Sequence, residues 1–257
     1  MTDYSRDHIV KGLFVKEFPA PDESRKGPIL MIHGGYHGWW AFEDWLPLFA
    51  DWGWPSYAVS LRNHKDSYSI SDQEFLKLTL ADYVEDVLAV LKWLEQRPIL
   101  IGHSMGGIIA QQVAEKERLA ALVLVGPVGP GQLGPFRDPL PTDKPIVRDH
   151  DTARRLWFYD VDDERFNAIH ARLVGESPSA LNEFGSERTF VDRSKIDCPI
   201  LVLAGQHDLS GVHSAEAVAD FYHAPCWILP NCGHDLMLEP VAADVASRIR
   251  TWLDSAL

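Results

Sequence analysis

The feature that most constrains the fold is an alternation between short apolar runs and longer segments with helical periodicity. Because the runs are almost wholly apolar, both faces of each must be covered, as happens when helices pack on either side of a parallel sheet. The chain is therefore predicted to adopt an α/β fold with a mostly parallel central sheet flanked by helices. The runs lie at residues 28–32, 55–60, 98–101, 121–125, 199–204 and 227–229.

Three segments between or after these runs predict the helices that cover the sheet. Apolar residues recur there at three- and four-residue steps, which places them on one face of a helix. The predicted helices span residues 75–95, 104–117 and 240–253.

The alternation is interrupted between residues 127 and 195, a stretch rich in Pro and Gly at its start and in aromatic and charged residues afterwards. We expect this stretch to be an inserted helical cap or lid, too small for a core of its own. Residues 1–126 and 196–257 are predicted to form the core. A single domain of this kind is compatible with the 257-residue length.

Composition limits the partners that the chain can have. Lys and Arg total 24 against 37 Asp and Glu, a formal charge of −13, which disfavours nucleic acid and anionic membrane surfaces. No apolar run approaches the roughly 18 residues of a membrane span, and the first residues are too polar for a signal peptide. Three cysteines form no metal-ligand pair or disulfide framework. We expect a cytoplasmic protein with a small-molecule substrate, and the oligomeric state is left open.

The sharpest motif is Gly102-His103-Ser104-Met105-Gly106, which follows one apolar run and precedes a predicted helix. A serine at such a strand-to-helix turn is held exposed above the sheet, and small neighbours on both sides let the backbones pass. The motif predicts Ser104 as a nucleophile.

A serine nucleophile needs a base, and the base needs an acid that fixes its tautomer. Asp208 follows the run at 199–204, and His234 follows the run at 227–229. The carboxyl ends of parallel strands lie at one edge of a sheet, so we expect both side chains to meet Ser104 there. The chain order Ser104, Asp208, His234 is typical of serine hydrolases built on such a sheet.

The run at 28–32 leads into the glycine-rich turn His33-Gly34-Gly35-Tyr36-His37-Gly38, whose backbone can approach a ligand closely. With this turn, the chain resembles the α/β-hydrolase fold superfamily, in its serine esterase and lipase-like branch, over essentially its whole length apart from the insertion. The resemblance implies a cap inserted after the sixth strand of the fold. It also implies that the N–H groups of Gly35 and Met105 form an oxyanion hole.

Some residues near these motifs are weaker candidates. Tyr36 and His37 follow the oxyanion turn, and Trp157 lies in the insertion, so all three are candidates for substrate contact. The histidines lack the close helical spacing of metal ligands, so neither a metal nor another cofactor is expected.

These motifs predict a serine hydrolase that cleaves a carboxylic ester, or a thioester or lactone, of a small substrate through an acyl-enzyme on Ser104. Two alternatives remain open. The same residues could hydrolyse a C–C bond in a diketone or ring-fission product, or the chain could be a binding receptor of this fold with slow turnover.

Overall fold

A computed structural model describes residues 4–135 and 138–257. Eight strands form one sheet within these residues: β1 Arg6–Val10, β2 Leu13–Phe18, β3 Ile29–Ile32, β4 Ser56–Val59, β5 Ile99–His103, β6 Ala121–Val125, β7 Ile200–Gly205 and β8 Cys226–Leu229. Their spatial order is β1-β2-β4-β3-β5-β6-β7-β8. β2 runs antiparallel to β1 and β4, and the remaining neighbours are parallel, so the predicted mostly parallel α/β sheet is confirmed.

Helices cover both faces of the sheet. The helices are α1 Trp45–Asp51, α2 Asp72–Lys77, α3 Leu80–Leu94, α4 Met105–Ala114, α5 His150–Trp157, α6 Asp163–His170, α7 Pro178–Asn182, α8 Ala215–Tyr222 and α9 Ala242–Ala256. Alternate residues of a strand point to opposite faces of the sheet. In β3, Met31 packs in the cluster with α1 and α9, whereas Leu30 packs in the cluster with α3, α4 and α8.

The prediction of a single helix over residues 75–95 is wrong, because the structure has two helices there, α2 and α3. Leu78 is extended, with ψ of 133°, and ends α2. The Thr79 N–H donates to the Asp82 carboxylate at 2.8 Å, which caps the start of α3. A second carboxylate, that of Glu183, accepts the Leu80 N–H at 2.9 Å. The first residues of α3 thus find partners that a continuous helix would not require.

The stretch predicted as an insertion follows β6, the sixth strand, and carries α5, α6 and α7. Several of its apolar side chains, among them Trp157 and Phe166, belong to the core cluster of α1 and α9, and others, such as Ala180 and Val191, belong to the cluster of α3, α4 and α8. One backbone bridge, Ile146 to Glu176, joins the segments before α5 and after α6. The division of the chain into core and cap at residues 127 and 195 stays a prediction. No helix among the described residues combines the length and apolarity needed to cross a bilayer.

Candidate active site

Ser104 occupies the turn between β5 and α4 in a backbone conformation that non-glycine residues rarely adopt, with φ of 51° and ψ of −115°. Its N–H donates to Val125 O at 3.0 Å, and its C=O accepts from Gly107 N at 2.9 Å. These bonds hold the strained turn, which leaves the side chain half-exposed at the carboxyl edge of the sheet.

The flanking glycines have the steric role that the motif predicts. A Cβ on Gly102 would collide with the Gly106 carbonyl, and a Cβ on Gly106 would collide with the Ile32 carbonyl. The start of α4 therefore packs backbone against backbone on both β5 and β3. This contact brings the turn after β3 next to Ser104, since a Cβ on Gly34 would lie 3.0 Å from Ser104 Cβ.

Asp208 and His234 meet on the loops that follow β7 and β8. His234 Nδ1 donates to Asp208 Oδ2 at 2.7 Å, and Asp208 Oδ1 accepts the Ser210 N–H at 2.9 Å. Gly126, at φ of 48°, leaves room for the pair, because a Cβ there would lie 3.0 Å from His234 Nδ1. His234 and Ser104 line the same cleft. The structure thus brings the three predicted residues to one place.

The pair is electrostatically coupled. Burial by itself would lower the pKa of His234, but the charge and hydrogen bond of Asp208, together with the charge of Asp235, raise it above the usual 6.5. Burial by itself would raise the pKa of Asp208, but the charge and hydrogen bond of His234 lower it to about 2. Asp208 is therefore a carboxylate at neutral pH.

A second set of polar groups, all of them buried, lies next to His234. The Asp235 carboxylate accepts from His37 Nε2 at 3.2 Å, and its other oxygen lies 3.4 Å from His103 Nε2. His103 Nε2 also lies 3.2 Å from the His234 carbonyl, and the two rings are 4.7 Å apart. Burial, followed by the charge of His234, lowers the pKa of His103 to about 3, so His103 is neutral.

Among the described residues, one set of side chains has possible ligand atoms close enough together to hold a metal ion. The set is His103, His234 and Asp235, whose ligand atoms lie within 4.8 Å of one another. These groups already contact one another, because His103 Nε2 lies 3.4 Å from Asp235 Oδ1 and 3.2 Å from the His234 carbonyl.

Gly35 and Met105, the predicted oxyanion donors, both line the cleft that contains Ser104. Met105 is the first residue of α4, where a backbone N–H has no partner within the helix. The turn that carries Gly35 is held by a hydrogen bond to the insertion, because the Tyr36 N–H donates to the buried Glu176 carboxylate at 3.2 Å.

The cleft is narrow, with an enclosed volume of about 50 Å³. Tyr36, His37 and Trp157, the three candidates for substrate contact, all lie on its wall. Their rings pack together, with centroids 5.5 Å apart for Tyr36 and Trp157 and 5.6 Å for His37 and Trp157. His37 is almost wholly buried, and both of its ring nitrogens have partners, the Gly35 carbonyl at 2.8 Å and the Asp235 carboxylate at 3.2 Å.

Three functional groups of the site were missed by sequence reasoning. Asp235 follows His234 and belongs to none of the sequence motifs, whereas in the structure its carboxylate lies between His37 and His103. Arg148 and Glu176 lie in the insertion, and neither belongs to a motif. Arg148 lines the cleft, and Glu176 lies under the oxyanion turn. Only the fold of the insertion over the sheet edge brings them there.

Fold and site together define a class of protein: a mostly parallel α/β sheet with a serine on a strained strand-to-helix turn and an Asp–His pair on the loops of two later strands. The model of the alpha/beta hydrolase family matches residues 29–247. The chain belongs to this family.

Two curated relatives, from Mycoplasma genitalium and Mycoplasma pneumoniae, carry the provisional name esterase/lipase 2. They are 33% identical over 119 residues and 31% identical over 118 residues. Each match covers 45% of this chain and 43% of the relative, so the similar region spans less than half the length of either protein.

Solved structures resemble the whole fold. The monoacylglycerol lipase of Paleococcus ferrophilus has a TM-score of 0.74 at 16% identity, covering 95% of this chain and 99% of its own. A serine hydrolase involved in carbazole degradation has a TM-score of 0.68 at 19% identity, covering 98% of both chains. A thermophilic esterase from Thermogutta terrifontis has 0.70 at 19%, also covering 98% of both. At these identities the likeness shows the fold alone.

Proposed function

We propose that the protein is a serine hydrolase that cleaves a carboxylic ester, or a close relative such as a thioester or lactone, of a small substrate. The observation that carries the proposal is the meeting of Ser104, on its strained turn, with the hydrogen-bonded pair His234 and Asp208 in one cleft. The esterase and lipase names of the curated relatives agree with this activity.

The reaction proceeds through an acyl-enzyme. Ser104 Oγ attacks the substrate carbonyl while His234 Nε2 takes the hydroxyl proton, and Asp208 holds the imidazolium through Nδ1. The tetrahedral intermediate then collapses, and His234 gives its proton to the departing alcohol. A water molecule, deprotonated by His234, attacks the acyl-enzyme and releases the acid, which restores Ser104.

The N–H groups of Gly35 and Met105 stabilise the negative oxygen of the tetrahedral intermediate. Donors that are already oriented need no rearrangement during the reaction, and one such donor is worth roughly 10²–10³ in rate. The bond from the Tyr36 N–H to Glu176 and the close packing of Gly34 on Ser104 hold the Gly35 turn against the nucleophile. Tyr36, His37 and Trp157 form the wall against which the substrate lies.

Labelling with a fluorophosphonate tests the nucleophile. We expect intact-protein mass spectrometry to show one adduct on the wild-type chain, located on Ser104, and none on Ser104→Ala. The matched control is Ser255→Ala, since Ser255 is exposed on α9 far along the chain from the motif. An unlabelled wild type, or a Ser104→Ala variant that labels equally well, contradicts the proposal.

Substrate turnover tests the reaction type. We expect p-nitrophenyl esters of short acids to be hydrolysed far above the uncatalysed rate, and this activity to be lost in Ser104→Ala. Faster turnover of a vinylogous diketone than of any ester or thioester would indicate C–C bond hydrolysis instead. Labelling without turnover of either kind would indicate a receptor.

A further inference from the structure

Arg148 is a charged residue in the cleft that the proposed reaction leaves without a role. It lies in the insertion, two residues before α5, and lines the same cleft as Ser104, His234 and Gly35. Its guanidinium carbon lies 5.3 Å from the centroid of the Tyr36 ring, close enough for a cation–π contact. The cation is thus held next to the residue that follows the oxyanion turn.

The backbone around Arg148 is anchored, so the position of the side chain is set by the fold. Ile146, two residues before Arg148, exchanges two backbone hydrogen bonds of 2.9 and 2.8 Å with Glu176. The Arg148 carbonyl accepts from His170 Nε2 at 3.1 Å. The residue that follows, Asp149, uses its carboxylate to cap α5 through the Thr152 N–H at 2.9 Å.

Within the described residues, Arg148 has no carboxylate at ion-pair distance, unlike three other arginines of the insertion. Arg154, Arg165 and Arg172 pair with carboxylates at 3.3, 2.6 and 2.6 Å. The Nε–H of Arg148 is shielded from solvent, yet it donates to no acceptor among residues 4–135 and 138–257. A buried donor without an acceptor is costly, and a ligand that supplies the acceptor removes that cost.

The wall of the cleft carries a cationic side chain although the chain as a whole is acidic. The formal charge of the whole chain is −13, but Arg148 is the one Lys, Arg, Asp or Glu side chain among the described residues that line the cleft. The other ionisable groups on its wall are His37, His103 and His234. An anionic group of a substrate in the cleft therefore meets the Arg148 cation, and no carboxylate among the described residues lines the cleft.

We propose that Arg148 binds a carboxylate of the substrate, so that the substrate is a small ester that carries a free carboxylate in addition to the bond cleaved. This inference rests on the proposed hydrolase function and names its substrate class. A planar guanidinium offers a fork of N–H donors that matches a carboxylate through two parallel hydrogen bonds. Arg148 is a specificity-determining residue, and Ser104 and His234 carry out the reaction.

Matched pairs of esters test the proposal. On the acyl side, p-nitrophenyl hemisuccinate is compared with p-nitrophenyl 4-methylpentanoate, in which an isopropyl group replaces the carboxylate. On the alcohol side, 4-acetoxybenzoate is compared with p-tolyl acetate. We expect wild type to prefer the carboxylate ester in at least one pair and Arg148→Gln to reduce that ratio of kcat/KM by roughly 10–100-fold, mainly through KM. Arg148→Lys should keep part of the preference.

The control is Arg155→Gln, which removes the same charge from an exposed position on α5 and should leave the ratio unchanged. Absence of a carboxylate preference in both pairs overturns the proposal while ester hydrolysis stands. Equal loss of both esters of a pair in Arg148→Gln also overturns it, because that pattern indicates a structural role.

A binding measurement keeps the inference separate from turnover. Calorimetry of p-nitrophenyl hemisuccinate and of 4-acetoxybenzoate with Ser104→Ala should show binding of at least one, weakened at least tenfold by adding Arg148→Gln. If no ester is turned over by wild type, the hydrolase proposal fails, yet this measurement still decides carboxylate recognition. Equal binding by both variants, or no binding of either ester, overturns the role of Arg148.

Discussion

At the scale of single residues, the site depends on groups held in states that they would not adopt alone. Ser104 has a positive φ that is fixed by hydrogen bonds to Val125 and Gly107. His234 is buried, yet its pKa is raised, because Asp208 and Asp235 outweigh the effect of burial. The surrounding fold therefore maintains both the strained backbone of Ser104 and the raised pKa of His234.

The raised pKa of His234 predicts the pH dependence of the reaction. The imidazole must be neutral to accept the Ser104 proton, so activity should increase as pH rises through a midpoint above 6.5. In Asp208→Asn the charge is lost and burial dominates, so the midpoint should fall and kcat should drop by up to about 10⁴-fold. The measurement is kcat/KM of a p-nitrophenyl ester between about pH 5 and 9.

The control for this profile is Asp244→Asn, which removes an exposed carboxylate on α9. It should keep both the rate and the midpoint of wild type. A profile that is flat over this range, or a midpoint that Asp208→Asn leaves in place, would show that His234 is not the base.

At the scale of elements, two differences from the sequence prediction have local causes. The β1–β2 hairpin was not predicted, although Lys11 and Gly12 both have positive φ, 50° and 87°, as a two-residue hairpin turn requires. The break between α2 and α3 was hidden by apolar periodicity that continues across it. The pairs Ser71 with Glu74 and Thr79 with Asp82 are capping boxes that mark both helix starts in the sequence.

The backbone contact between α4 and β3 predicts that Gly106→Ala is severe. The new methyl group would meet the Ile32 and His33 carbonyls, so α4 and the oxyanion turn must separate. We expect a loss of about 2 kcal/mol in the free energy of unfolding, as for overpacked cores, and slower fluorophosphonate labelling of Ser104. Urea unfolding and labelling rates measure the two effects.

Gly27→Ala is the matched control, since the nearest heavy atom to its new Cβ is Arg97 O at 3.3 Å and no site residue is near. Equal stability and equal labelling of Gly106→Ala and wild type would contradict the steric account of the motif.

At the scale of the whole molecule, one buried carboxylate joins the insertion to the rest of the chain. Glu176 accepts from Tyr83 OH at 2.6 Å, from His64 Nε2 at 3.0 Å and from Tyr36 N at 3.2 Å. The first two partners belong to α3 and to the loop after β4, and Tyr36 is the residue that follows Gly35. The insertion is therefore fixed at the same point that orients Gly35.

Glu176→Gln should destabilise the fold in a pH-dependent way. Although burial opposes both charges, the pKa of Glu176 is lowered and that of His64 is raised by their interaction. The Glu176 contribution is present above about pH 4.5 and lost as pH falls through its folded pKa; the His64 contribution is present below about pH 6.5 and lost as pH rises through its folded pKa. The substitution should lower the free energy of unfolding by about 3 kcal/mol, and this loss should be largest between about pH 4.5 and about pH 6.5.

Urea unfolding of Glu176→Gln and wild type at about pH 5.5 and pH 9 measures this difference. The control is Glu187→Gln, an exposed glutamate in the same insertion. A Glu176→Gln variant as stable as wild type at pH 5.5 would show that the pair with His64 does not stabilise the fold.

The sequence by itself determined the α/β class and the candidate residues Ser104, Asp208 and His234. Both depend on local patterns: apolar runs that need cover on two faces, and polar residues at strand ends that a parallel sheet must gather at one edge. Tertiary structure alone placed Arg148 in the cleft and Glu176 under the oxyanion turn. No periodicity or motif marks either residue, because its role depends on how a stretch with irregular patterning packs over the sheet edge.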